Sequence, residues 1–472
     1  MSRQNRRKHI SIENIEIIDT ANKGKSVAKH DGRIIFVQGG VPGDICDITV
    51  FKRRKKYWEA RIDVIKEKSK NRIEPKCEHF GSCGGCKWQN MSYSSQLHFK
   101  QSEVLNNLTR IGGVTIPKYE NILGSKEEYF YRNKMEFTFS NKKWLTNEEI
   151  KNDEEIKDKN ALGFHVPGMF DKVIDLQKCH LQKEPSNKIR IAVRKYAKEN
   201  NLEFFDIRNQ TGLLRNLIIR TSTTNELMVL MQFYKNDKIE IEKLMIFLRD
   251  GFPEISSLLF TINKKANNTL YDQEILCFHG EKFITEKIED LVFKIGPKSF
   301  FQTNSEQAKI LYKKTRELAQ LTGSEVVYDL YTGTGTIAQF IAKQAKTVVG
   351  IDSIEEGIIA ARENAKFNNI SNCIFHTGDM KEIFTEEFIK QNLYPDVIIT
   401  DPPRDGMHKK VVAQILSILP KKIIYVSCNS ATQARDISLL KEKYIVSNIQ
   451  TVDMFPQTHH VENIALLELE KN

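Results

Sequence analysis

No run of about 18 consecutive apolar residues occurs in the chain, which excludes a helical membrane span. The opening MSRQNRRKHI is basic but has no apolar stretch behind it, so no cleaved secretion signal is expected and a cytoplasmic location is. No internal repeat is visible, and 472 residues exceed one compact domain, so two or three distinct domains are expected. Cysteine is scarce at eight residues. In a cytosolic protein these thiols stay reduced, so a cluster among them points to metal or catalysis rather than disulfides. Charge of either sign is not scarce, but the excess is uneven. Residues 1–72 carry 18 Lys and Arg against 9 Asp and Glu, which is most of the chain's net +10. Such a basic block attracts a polyanion, most simply the phosphate backbone of a nucleic acid.

What is present divides the chain by periodicity. Residues 10–65 read as short strands separated by the turn signals Asp31-Gly32, Gly39-Gly40 and Pro42-Gly43-Asp44, with the basic run from Lys52 to Lys56 near the end. A small antiparallel β-barrel is expected, of the OB-like kind that binds oligonucleotides. The stretch from Ser94 to Arg110 is amphipathic. From about 125 to 295 the pattern is mostly β, interrupted by one helix near 186–200. Residues 141–160 are highly charged and are expected to form a solvated insertion loop. After about 305, helices alternate with the apolar strands VVYDL, TVVGID, CIFHT, DVIIT, KIIYVS and a final IALLELE. This alternation predicts a doubly wound α/β sheet with its site at the strands' C-terminal ends.

The chemistry-bearing motifs follow those strands. Asp329, Tyr331, Gly333, Gly335 and Thr336 lie in DLYTGTGT, where glycines let a ligand approach the backbone at a helix start. Asp352 ends the next strand and is placed to accept ribose hydroxyls. The same glycines satisfy the dinucleotide pattern G-x-G-x-x-A, so this motif alone leaves a nicotinamide enzyme open. The run Asp401-Pro402-Pro403-Arg404-Asp405-Gly406 decides against it, because Asp/Asn-Pro-Pro at this strand end is a feature of methyltransferases acting on planar nitrogens or bases. Cys428, between polar Ser427 and Asn429, ends the strand KIIYVS and is expected to point into a cleft. Asp453, His459, His460 and Glu462 supply candidate proton acceptors beyond it. Cys77, Cys83 and Cys86 supply three thiols where an iron–sulfur cluster needs four, with Cys179 as a distant fourth. On spacing alone, structural zinc with His79 or His180 stays open.

Taken in order, these motifs, together with Phe300-Phe301-Gln302-Thr303-Asn304, resemble the RNA uracil-5-methyltransferase family over essentially the whole chain. The barrel, with Val41-Pro42-Gly43-Asp44 and its basic run, resembles a TRAM domain. The resemblance implies three domains: a TRAM-like barrel at 1–66, a β-rich central domain with iron–sulfur cysteines and an RNA-binding sheet at 67–300, and a Rossmann-like methyltransferase domain at 301–472. It implies Cys428 as nucleophile and Glu462 as base. It also implies that Gln302, Tyr331, Thr336, Asp352, Asp379 and Asp401 hold S-adenosylmethionine or order its site. Family members often carry Glu where this chain has Asp352. The same resemblance makes Cys77, Cys83, Cys86 and Cys179 ligands of a [4Fe-4S] cluster, and favours ribosomal RNA over the T-loop of transfer RNA as substrate. A monomer is expected. Competing readings are an iron–sulfur NAD oxidoreductase, a non-catalytic RNA-binding protein and a cytosine-5 methyltransferase. RNA versions of the last carry a second cysteine just after a proline, where here Pro403 follows Pro402.

Overall fold

Alternation of apolar and polar residues in strands such as CDITV buries one face of each ribbon, and in the computed structural model these ribbons close on themselves. The structure describes residues 10–116, 118–151 and 158–470. The basic residues before Ile10, and 152–157 of the charged insertion, lie outside the described residues. The chain divides into two compact units, one of Met1–Glu103 with Phe455–His460, the other of Val104–Met454 with Val461–Asn472.

In the first unit, five strands spanning Ile10–Glu67 form a closed barrel, with Arg33–Gln38 and Tyr57–Glu67 paired in parallel. Closure removes exposed sheet edges, and Ile12, Ile17, Ile35, Val37, Ile48 and Val50 fill the interior. Asp44 of the Pro-Gly-Asp turn is fully buried and meets Arg72 at 2.6 Å. Burial works against its ionisation, but hydrogen bonds from Arg72, Ser69 and Val41 outweigh that and hold the carboxyl below the usual range. After the cysteine loop, the amphipathic stretch forms the helix Tyr93–Arg110.

The second unit contains two seven-stranded sheets. The central sheet is antiparallel except where Leu227–Phe233 runs parallel to Ser257–Ile262. Parallel neighbours need a crossover, and the helix Lys238–Gly251 provides it, with Asp237 capping its N-terminus by accepting the Glu240 N–H. This is a second helix beside the expected one, which forms over Ser186–Glu199. Its near-continuous KLMIFL run hides helical periodicity inside a β-rich region. The charged insertion contains a short helical turn, Asn147–Lys151.

The C-terminal sheet has the spatial order Cys373–Thr377, Thr347–Asp352, Val326–Leu330, Val397–Thr400, Lys422–Ser427, Glu462–Leu469, Tyr444–Val452. The first five strands are parallel, and Glu462–Leu469 runs antiparallel to both of its neighbours. Val326–Leu330 lies between Thr347–Asp352 and Val397–Thr400, so the strand order reverses there. That reversal opens a crevice at the strands' C-terminal edge.

Candidate active site

The crevice is built from the turns that leave these strands. Val326–Leu330 is followed by Tyr331, Gly333 and Gly335, all with positive φ, and Gly335 caps the helix Thr336–Ile341. The two glycines serve different ends. A Cβ on Gly335 would lie 2.9 Å from Ala361 and from the Phe375 ring, so packing forbids one. A Cβ on Gly333 would meet nothing within 4 Å, so that backbone faces open space. The Gly333 N–H donates to Asp352 Oδ2 at 2.9 Å, and Asp352 Oδ1 accepts from Ile354 N–H at 2.8 Å. Beside this turn, a cavity of about 220 Å³ is lined by Tyr331, Ser353, Asp379, Pro403, Gly406 and His408, among others. Asp379 caps a short helix there, and its hydrogen bond with Lys381 holds its carboxyl below the usual range. Burial pushes the Tyr331 phenol up to about 12. Thr336 and Gln302 are both buried, Gln302 with its carbonyl accepting from the Asn133 side chain at 2.9 Å.

The same strand ends carry a group of acids. Asp329 is 1% exposed; its Oδ2 accepts from the Thr332 hydroxyl at 2.5 Å and the Ala338 N–H at 3.1 Å, while Oδ1 has no partner among the described residues. Burial, reinforced by the Asp401 charge, pushes this carboxyl up to about 7. Asp401, on the neighbouring strand end, is likewise raised to about 7 by burial. Glu462 is buried and raised well above the ordinary value, by desolvation first and the Asp401 charge second. The buried phenol of Tyr312 lies within electrostatic reach of all three acids.

Sheet register brings the thiol to this group. Ser427 pairs with Asn463 across the antiparallel strands, so Cys428 and Glu462, one step further, stand at the same sheet edge. Cys428 is half-buried at a strand-to-helix turn, flanked by Ser427, which donates to Asn429 O, and by Asn429, which caps the helix Ser430–Leu440. Burial pushes its thiol up to about 11, helped by the charges of Glu462 and Asp401 and opposed by that of Arg404. A half-buried nucleophile type, three clustered carboxyls and a cavity at the glycine turn of the same sheet make a site suited to covalent addition and proton transfer around a cationic ligand.

The remaining predicted residues lie elsewhere. Cys77, Cys83 and Cys86 sit in the first unit's loop and Cys179 in the second unit. Gly85 N–H lies 3.4 Å from Cys83 Sγ, and burial pushes the Cys77 and Cys83 thiols up. Among the described residues, no three His, Cys, Asp or Glu are gathered as a metal-holding group. His459 and His460, whose rings are 4.1 Å apart, lie in the segment that belongs to the first unit. That segment is locked there by Gln457, whose carbonyl accepts the Lys87 and Trp88 N–H groups and whose side chain and backbone bond Gln96.

The comparisons with known proteins agree with this architecture. Residues 221–470 match a protein family described as tRNA (uracil-5-)-methyltransferase. An uncharacterized RNA methyltransferase of Bacteroides thetaiotaomicron is 54% identical over 452 residues, covering 95% of this chain and 100% of the relative. The chain belongs to this family. A Porphyromonas gingivalis family relative, also an uncharacterized RNA methyltransferase, is 49% identical over 96% of this chain and 99% of its own length. The crystal structure of Pyrococcus abyssi tRNA (uracil-54, C5)-methyltransferase in complex with S-adenosyl-L-homocysteine is similar with a TM-score of 0.73 and 27% identity, covering 96% of this chain and 100% of that one.

Sequence patterns alone give no role to Arg404, Tyr312 or Asp329. Arg404 and Asp329 stand inside the strand-end motifs, where a cation beside a thiol and an acid before a glycine turn were available signals. Tyr312 had none, since a tyrosine on an amphipathic helix reads as core.

Proposed function

We propose that this family member methylates carbon 5 of a uridine in RNA, with S-adenosylmethionine as donor, Cys428 as nucleophile and Glu462 as proton acceptor. The apposition of Cys428 and Glu462 at one sheet edge carries this reading. Carbon 5 of uracil is a weak nucleophile. Addition of the Cys428 thiolate to carbon 6 opens the 5,6 double bond and makes carbon 5 an enolate carbon. S-adenosylmethionine supplies the methyl group, which forms its new bond to carbon 5 as its bond to sulfur breaks. Glu462 takes the carbon 5 proton, the electrons re-form the double bond, and the thiolate leaves. The open Gly333 backbone, the unpartnered Asp329 Oδ1 and the cavity lined by Tyr331 and Asp379 fit a ligand carrying an ammonium and a sulfonium. Gln302, Thr336, Asp352 and Asp401 complete the proposed cofactor set. Placing positive charge among Asp329, Asp401 and Glu462 favours their ionised forms, which is the form Glu462 needs.

The three segments 1–66, 67–300 and 301–472 divide the labour in this reading: backbone binding, target presentation and chemistry. The target must be unstacked to expose carbon 6, so a single-stranded loop or a flipped base is required. Ribosomal RNA is favoured over transfer RNA from the combination of barrel and cysteine cluster, and an RNA-wide map of 5-methyluridine with and without the protein separates the two. Cys77, Cys83, Cys86 and Cys179 are the proposed ligands of a [4Fe-4S] cluster, four thiolates of the right donor type, with a structural role. Iron and acid-labile sulfide in the anaerobically purified protein, lost together on Cys-to-Ser substitution, are the expected result. The central test is Cys428→Ala. It abolishes methyl transfer and the covalent adduct with 5-fluorouridine RNA; a variant that still methylates overturns the assignment.

A further inference from the structure

The turn after Asp401 owes its shape to one helix. The Arg404 carbonyl accepts from the Asn429 side-chain amide at 2.9 Å and the Thr432 hydroxyl at 3.0 Å. The Asp405 carbonyl accepts from the Arg435 guanidinium at 2.9 Å. The Met407 N–H donates to Asp436 Oδ2 at 2.7 Å. Asp436 is 1% exposed, and its carboxylate also accepts the Tyr425 hydroxyl at 2.7 Å and two N–H groups of Arg435 at 2.7 and 2.8 Å. All these anchors except Tyr425 come from Ser430–Leu440 or its cap, Asn429, which directly follows Cys428. Gly406 sits flush on the latch: its φ is +75°, and a Cβ there would lie 2.6 Å from both Arg435 Nη2 and Asp436 Oδ2.

A buried carboxylate is costly unless every lone pair is used, and simple core packing would be served better by an apolar residue. Asp436 instead joins a backbone amide of the turn, a sheet tyrosine and an arginine that itself grips the turn. The residue this fixes is Arg404, whose positive charge acts on both Cys428 and Glu462, while Asp401 acts on both with the opposite sign.

We propose that Asp436 is a positioning residue for the covalent step, holding the Arg404–Met407 turn so that the Arg404 charge stays within electrostatic reach of Cys428 and Glu462. The proposal rests on the reading of Cys428 as nucleophile, but it can be measured without methyl transfer. The readout is the rate of Cys428 alkylation by iodoacetamide at pH 8 in the full chain, resolved from the other cysteines by peptide mass. Asp436→Asn and Arg404→Gln are each expected to slow it about tenfold, the effect of one unit in thiol pKa. Because Asp436 acts through Arg404, the double variant is no slower than Arg404→Gln alone. Losses that multiply, or a wild-type rate in Asp436→Asn, overturn the proposal. Gly406→Ala pushes the same turn off Arg435 and Asp436 while leaving both residues chemically unchanged. It is expected to slow alkylation even if Asp436→Asn fails to fold, and a wild-type rate there also overturns the proposal. Methylation by Cys428→Ala would instead sink the nucleophile assignment and leave the alkylation coupling intact, so the two failures are distinguishable.

Discussion

Cys428 has a thiol raised to about 11 by burial and by two carboxylates, so little of it is ionised at neutral pH in the free enzyme. The reactive form is the deprotonated one. The rate of adduct formation with 5-fluorouridine RNA should therefore climb as pH rises from 6 to 9, by about tenfold per unit while thiolate is limiting. A flat or falling profile would contradict this ionisation order. Asp329 gives a second prediction, on stability. Its folded carboxyl, raised to about 7, binds a proton that the unfolded chain releases near pH 4. Between those values the native state holds more protons, so this group's contribution is present in acid and lost as pH rises towards 7 and beyond. Asp329→Asn mimics the protonated form, and it should raise the melting temperature at pH 8 by several degrees and change it little at pH 4.5. No gain at pH 8 would mean that the site already neutralises the charge.

At the scale of elements, the glycine turn separates two roles that its letters do not. Gly335 carries φ +73° and closes on Ala361 and Phe375, so Gly335→Ala combines left-handed strain of about 1–2 kcal/mol with overpacking of about 1–3 kcal/mol. Gly333→Ala, with φ +57° and open space, has only the first cost to the fold. Thermal melts should show Gly335→Ala as the less stable of the pair. Calorimetry with S-adenosylhomocysteine should show Gly333→Ala as the weaker binder for its stability; equal melting and equal binding would remove the distinction. The strands that carry the site were legible because each is a short apolar run ended by polar or turn residues, as VVYDL is by Tyr331 to Gly335. The crossover helix Lys238–Gly251 was not, because its apolar run matches a buried strand over the length of one.

For the whole molecule, charge and enclosure are divided between the two units. Among the five basic residues Lys52 to Lys56 of the barrel, Lys52 pairs with Glu59 at 2.6 Å and Arg53, Arg54, Lys55 and Lys56 are exposed. Replacing these five with Gln should weaken RNA binding at low salt. It should also flatten the dependence of log K on log salt by about 0.7 for each single-strand phosphate that is no longer neutralised. An unchanged slope would move the RNA-binding role elsewhere. The catalytic unit, by contrast, concentrates buried acid rather than base, as expected where the ligand is a small cation.

Sequence by itself determined the parts that are local. Residue order names Cys428, Asp401, the glycine turn and Glu462, and alternation of apolar residues sets the barrel strands, because those properties depend only on near neighbours along the chain. Tertiary structure alone decided how the parts act on one another. The register that brings Cys428 beside Glu462, the latch from Asp436 to the Arg404 turn and the transfer of Phe455–His460 to the first unit all join residues distant in sequence. So does the protonation of the site. A carboxyl's pKa is set by the water it has lost and the charges that face it: burial raises Asp329, Asp401 and Glu462, and the Asp401 charge, from another strand end, raises Asp329 and Glu462 further.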